Sequence, residues 1–316
     1  MHSIVTGWFW IGFFVFVLPV LAIDMFLLNR HKSHKVTMCE ALSWTLVWIG
    51  CALLFDFLLW LCLKHTHGPL VAGEKSLEFL TGYLIEESLS FDNMFVILMI
   101  FNFFAVPEEY QRRVLLYGVL GAIVMRFIMI FGGLWIINQF HWVLYLFGAF
   151  LIYTGIKMLV IAEHETDLSK NTLFIWLRKH LRLTDSFHKE KFFICKNHLL
   201  YVTPLFVVLL FVECSDLIFA LDSIPAIFAV TRDPFIVFTS NIFAILGLRA
   251  IYFLLANVAR KFDLLKYGIA LVLMFTGVKI VIEHWIKVPV LLALGVVATI
   301  LLTSIILSWM KNRCKN

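Results

Sequence analysis

The sequence predicts an all-α polytopic membrane protein with about nine transmembrane helices. Its core is a 3+3 inverted repeat, with the amino terminus outside and the carboxyl terminus cytoplasmic. Three observations lead there. Apolar runs of about 20 residues recur along the whole chain, and that length lets a helix cross a hydrocarbon layer of about 30 Å. Basic residues crowd into alternate connections between those runs. Two acidic stretches inside the runs, Glu86–Asn93 and Glu213–Ser223, match each other at an offset of 130 residues. With 62% hydrophobic and 15% charged residues, the composition is not that of a soluble globular domain.

The first run, 7–28, has no basic stretch before it, so it reads as a retained span and not as a cleaved leader. With the second, 41–62, it makes a two-helix amino-terminal addition over 7–62. Runs 78–104, 113–136 and 142–161 form the first repeat, 78–161. Runs 200–229, 235–256 and 264–284 form the second, 200–284, and 288–309 is the last helix. The chain 1–316 is therefore one membrane domain. Between the runs, seventeen Lys and Arg fall on one side and four (Lys64, Lys75, Arg232 and Lys287) on the other. Loops rich in Lys and Arg stay in the cytoplasm, which sets the orientation. The net charge of +5 thus reports topology and gives no reason to expect nucleic acid as a partner. The only sizeable connection is 162–199. Within it Leu173, Phe174, Trp176, Leu177, Leu181 and Leu183 alternate with Arg178, Lys179 and Arg182. That pattern fits an amphipathic helix on the cytoplasmic membrane surface, and equally a short solvated loop helix.

The repeat extends past the acidic stretches. Thr154-Gly155-Ile156-Lys157-Met158 recurs as Thr276-Gly277-Val278-Lys279-Ile280, and Arg126 has its counterpart in Arg249. Three crossings per unit make the second unit enter from the opposite side, the inverted architecture of many secondary transporters, whose sites lie near the midplane between the halves.

Eight acids lie well inside the spans: Asp24, Asp56, Glu86, Glu87, Asp92, Glu213, Asp216 and Asp222. Four bases accompany them: Arg126, Lys157, Arg249 and Lys279. If every base pairs with an acid, four carboxylates remain to be protonated, hydrated or bound to a cation, because an isolated buried charge is too costly. In the matched stretches Glu86 aligns with Asp216, Asp92 with Asp222 and Asn93 with Ser223. Carboxylates with amide, hydroxyl and carbonyl oxygens suit hard divalent ions such as Mg²⁺, Ca²⁺ or Mn²⁺. Glu213 belongs to the same stretch, and Glu87 and Ser90 are secondary candidates. Asp24 and Asp56 stand apart and read as structural acids. The six cysteines have no Cys-x-x-Cys spacing and read as free thiols. No His-Glu-x-x-His, Ser/His or Cys/His arrangement points to an enzyme, and no nucleotide-binding loop points to a self-contained ATP-driven pump.

Helix geometry raises one difficulty. Glu86 and Asn93, seven apart, share a face, but Glu86 and Asp92 differ by about 120°. The third and sixth runs would also be about 40–45 Å long as helices, well beyond the hydrocarbon layer. Helices broken near both acidic stretches would remove both problems and free carbonyl ligands, with Pro225 as the breaker in the sixth.

At these residues the chain resembles the TerC family of integral membrane proteins, and its Alx-like members in particular. The resemblance rests on Phe79-Leu80-Thr81-Gly82-Tyr83-Leu84-Ile85-Glu86, then Ser88-Leu89-Ser90-Phe91-Asp92-Asn93, and on Ser215-Asp216-Leu217-Ile218-Phe219-Ala220-Leu221-Asp222-Ser223-Ile224-Pro225-Ala226. It covers nearly all of the chain. It implies a plasma-membrane protein, in a bacterium the inner membrane, associated with manganese export and resistance to metal stress. It further implies that Glu86, Asp92, Asp216 and Asp222 handle the metal, with Asn93, Glu213 and Ser223 beside them. Many relatives carry Lys where this chain has Glu87, which reverses the charge next to the site.

The resulting expectation is a secondary exporter of Mn²⁺, with Ca²⁺ and Mg²⁺ also admitted, working in exchange for H⁺ and embedded in the lipid bilayer. Metal binding requires deprotonated ligands, so carboxylates alternating between metal and proton would supply the coupling. The alternative is a membrane metallation or assembly factor that passes metal to exported proteins with little net flux.

Overall fold

A computed structural model describes residues 7–30, 37–132, 141–160, 183–184, 186–188, 190–196, 199–228, 230–262, 264–282 and 288–313. Among them run α1 (Gly7–Arg30), α2 (Met38–His67), α3 (Pro69–Phe103), α4 (Glu108–Gly132) and α5 (His141–Val160). A two-stranded ribbon follows, β1 (Phe193–Lys196) and β2 (Leu199–Val202). Then come α6 (Pro204–Phe228), α7 (Pro234–Lys261), α8 (Leu265–Ile282) and α9 (Val290–Arg313). Helix starts follow local chemistry. Thr37 Oγ1 accepts from the Glu40 amide at 3.3 Å to cap α2, and Asp233 Oδ1 accepts from the Phe235 amide at 3.0 Å to cap α7. Pro69, Pro204 and Pro234 each stand at a first helical position, where the missing N–H costs nothing.

Burial sorts the helices. Residues 92–101 of α3 and 235–252 of α7 are buried without interruption, so both are enclosed on every side and form the centre. Around them α3 packs on α2, α6 and α7, while α4 packs on α6 and α7. To one side α5 lies along α8, and α9 leans on α8. Rings fasten α1 to this core: Trp10 meets Phe235 edge-on at 5.0 Å, and Phe13 packs against Phe55, Phe238 and Phe243. The outer faces expose large apolar side chains such as Leu46, Leu53, Phe127 and Leu302. Among the described residues four helices (α2, α4, α6 and α7) are long and apolar enough to cross a membrane, and four others hold shorter apolar stretches. α3 is the longest helix at 35 residues and carries six charged ones. The protein is a polytopic, mainly α-helical membrane protein.

Three expectations need correction. α3 and α6 are continuous helices, through 84–94 and through 214–224 including Pro225, so neither is broken at its acidic stretch. The freed carbonyls are not required, because side chains from neighbouring helices serve the acids. The sixth run also begins at Pro204 and not at 200, since 199–202 pairs antiparallel with 193–196. Tyr201 and Val202 favour an extended backbone, and Pro204 cannot continue a ladder but opens a helix well. The third helix starts earlier than expected, at Pro69. Of the amphipathic segment only Leu183 is described, in an isolated bridge to Val202, and the rest lies outside the described residues. The ribbon is tied to the bundle: the Thr203 amide donates to Phe192 O at 2.9 Å, Arg113 Nη1 meets Glu190 at 3.1 Å, and Tyr117 stacks edge-on to Phe192.

Candidate functional site

Glu86 is the middle residue of α3 and Asp216 the middle residue of α6. Both are buried, with 1% and 5% exposure. One guanidinium joins them, that of Arg126 from α4, itself 1% exposed. Arg126 Nη1 donates to Glu86 Oε1 and also to Asn241 Oδ1 on α7. Its Nη2 lies 3.5 Å from Asp216 Oδ1. Asn93 Nδ2 donates to that same oxygen at 3.1 Å, and Ser215 Oγ lies 3.4 Å from Asn93 Oδ1. Ser90 Oγ lies 3.4 Å from Glu86 Oε1. Four helices therefore converge on one buried polar knot. Two buried carboxylates cannot both stay ionised without positive charge between them, and Arg126 provides it. Its planar fork reaches three acceptors from two nitrogens set apart in a fixed geometry, whereas a Lys would have to serve all three from a single nitrogen.

The knot is incompletely satisfied. Glu86 Oε2, Asp216 Oδ2 and Arg126 Nε are buried with no hydrogen-bond partner. Each costs the desolvation of a strong polar group, so their persistence asks for an explanation. Ser223, 1% exposed and seven residues after Asp216, also has a buried hydroxyl with no partner. It occupies on α6 the position that Asn93 occupies on α3, on the same face as the central acid and about two turns along.

The other sequence-predicted residues spread around this centre. A regular helix sets Asp92 about 120° from Glu86; Asp92 is 3% exposed, within the fully buried half of α3. The side chain of Asp222 lies outside the described residues, and so does that of Asp24. Glu213 is half-buried with its carboxylate laid on Gly121 of α4, where a β-carbon would collide with it. Glu87 is half-buried near Trp48 of α2 and Gly247 of α7. Lys157 sits 4.8 Å over the Phe103 ring, while Arg249 and Lys279 are buried. Asp56 accepts from Ser76 Oγ at 2.8 Å, a contact between α2 and α3 that fits its structural reading. Among the described residues no three His, Cys, Asp or Glu gather into a metal-holding group.

Sequence reasoning missed Asn241. Its signal is the run Thr239-Ser240-Asn241 within an apolar helix, all three with 0% exposure. Thr239 and Ser240 return their hydroxyls to carbonyls one turn back, and Asn241 Nδ2 does the same to Val237 O at 2.8 Å. That bond turns Oδ1 toward Arg126.

Comparison with known proteins agrees with this architecture. The integral membrane protein TerC family matches residues 71–316. The putative membrane-bound redox modulator Alx of Escherichia coli (strain K12) is 55% identical over 314 residues, which cover 99% of this chain and 98% of the relative. Its counterpart from Salmonella typhi is 52% identical over the same length and coverage. An uncharacterized membrane protein of Myxococcus xanthus is 46% identical over 304 residues, 96% of this chain and 92% of the relative. No solved structure matches the chain. With its acidic stretches, buried Arg126 and lipid-facing helices, this chain belongs to the TerC family of integral membrane proteins.

Proposed function

We propose that this protein is a secondary transporter that exports a divalent metal ion, Mn²⁺ first among hard cations, in exchange for protons. The observation that carries the reading is the pairing of Glu86 and Asp216, each from the middle of its helix, around a single cationic group. Aligned acids from two sequence repeats that meet at one point are what an inverted-repeat midplane site requires. The packing supports the same reading. The third helices of the two units, α5 and α8, lie against each other, as do the first helices, α3 and α6, and the second, α4 and α7. In this reading all nine helices span the bilayer of the bacterial inner membrane, with the amino terminus outside. Oxygen donors from Glu86, Asn93, Asp216 and Ser223, joined by Asp92, Glu213 and Asp222 as the helices shift, form the cation's coordination shell. Glu87 and Ser90 line the approach.

Ionised carboxylates receive the metal and protonated ones release it, so a proton gradient drives export without nucleotide chemistry. The test is Mn²⁺ flux in sealed vesicles holding the purified protein, with and without a pH gradient. Glu86→Gln and Asp216→Asn are expected to cut flux by about a hundredfold, since each removes one charge from a buried ion site. The alternative is a membrane factor that hands metal to exported proteins, or one that modulates redox state, as the name of the Alx proteins says of them. It predicts metal binding without flux, and that outcome would overturn the transporter reading.

A further inference from the structure

Arg126 occupies the position that a transported cation needs. Its Nη atoms reach Glu86 Oε1, Asn241 Oδ1 and Asp216 Oδ1, so it already offsets one of the two negative charges that the transport reading assigns to the metal. It does so incompletely. Each acid gives Arg126 one oxygen and keeps the other, Oε2 or Oδ2, buried without a partner, and the Nε of Arg126 is likewise unmatched. A structural ion pair has no reason to leave three such groups unspent, because buried pairs gain over desolvation only when their remaining valences are filled. A site shared in turn by two cations of different shape does have one. A divalent ion draws on both oxygens of a carboxylate, whereas the guanidinium here takes one from each.

We propose that Arg126 is the built-in occupant of the cation site: it holds Glu86 and Asp216 in the metal-free protein, and the divalent ion displaces it on binding. The inference rests on the transport reading and specifies how the metal-free carrier returns. In this scheme the exchanged protons ride on other acids of the shell; Glu86 and Asp216, as two bare charges, would cross the low-dielectric interior uncompensated, but with Arg126 between them they move as a unit with a single net negative charge. Asn241 is the guanidinium's anchor. Its amide is fixed by Val237 O at 2.8 Å, and it offers Arg126 an uncharged acceptor that the metal does not have to win. The competition is thus between Arg126 and the ion for the same two carboxylate oxygens.

The experiment compares two transport modes in sealed vesicles with ⁵⁴Mn²⁺: net efflux into metal-free buffer, and exchange against Mn²⁺ on the far side. Wild-type protein, Arg126→Gln and Asn241→Leu are each reconstituted after passing as monodisperse samples. For Arg126→Gln, net efflux is expected to fall about tenfold or more while exchange persists, since only the metal-free return needs the guanidinium. For Asn241→Leu, which loosens Arg126 without removing it, apparent Mn²⁺ affinity is expected to rise several-fold. Net efflux unchanged in Arg126→Gln, or loss of both modes together, would overturn the proposal. If Arg126→Gln does not fold, unchanged or weaker affinity in Asn241→Leu overturns it alone. Wild-type protein that moves Mn²⁺ in neither mode removes the transport reading itself, an outcome distinct from any of these.

Discussion

Glu86 and Asp216 show how a single residue's cost identifies its role. Each is buried at the centre of a membrane helix, and each is matched to Arg126 through one oxygen only. Asp56 is the contrasting case. It is 6% exposed, it takes a hydrogen bond from Ser76 Oγ, and its other oxygen is buried without a partner. That bond ties α2 to α3 away from the central knot, so its loss belongs to stability. Ser76→Ala is expected to lower the unfolding free energy by about 1–3 kcal/mol, the cost of stripping a buried polar group of its bond, with flux per folded molecule unchanged. Thermal denaturation in detergent paired with vesicle flux reads both quantities. A loss of flux without a loss of stability would instead place Asp56 on the ion path.

At the scale of elements, small residues decide which helices touch. A β-carbon added at Gly277 of α8 would stand 2.7 Å from the carbonyl oxygen of Gly148 on α5, and one at Gly148 would stand 2.9 Å from the carbonyl oxygen of Gly277. This reciprocal approach is the small-residue packing that lets membrane helices associate without a hydrophobic driving force. Gly277→Val is therefore expected to destabilise the protein by about 1–3 kcal/mol through overpacking. Gly295→Val on α9 serves as the control, because a β-carbon there meets nothing within 4 Å. Equal melting temperatures for the two variants would show that the α5–α8 contact carries no stability. The continuity of α3 has an equally local cause: a regular helix already places Asn93 on the face of Glu86, so one unbroken turn pattern delivers both to the knot.

For the whole molecule, orientation can be read from one thiol. Cys195 is exposed on β1, next to the start of α6, and the proposed topology puts that connection in the cytoplasm. A variant keeping only this cysteine is expected to react with a membrane-impermeant maleimide in inside-out vesicles and to be protected in intact spheroplasts. The reverse pattern would invert the topology. The sequence alone determined the membrane class, the approximate places of the helical runs and the likeness of the two acidic stretches, because apolar length, basic asymmetry and ionisable residues in apolar runs are each properties of local composition. It also implied that four bases must find acids, but it could not say which. The tertiary structure decided that Arg126 goes to both Glu86 and Asp216, residues 40 and 90 positions away, and that Asn241 completes the set. It also decided that 199–202 is a strand, since a ribbon exists only through its partner strand and the Arg113–Glu190 tie to α4. The contacts of Arg126 and of Arg113 are pairings between distant segments, and no pattern along one segment encodes the distance between two.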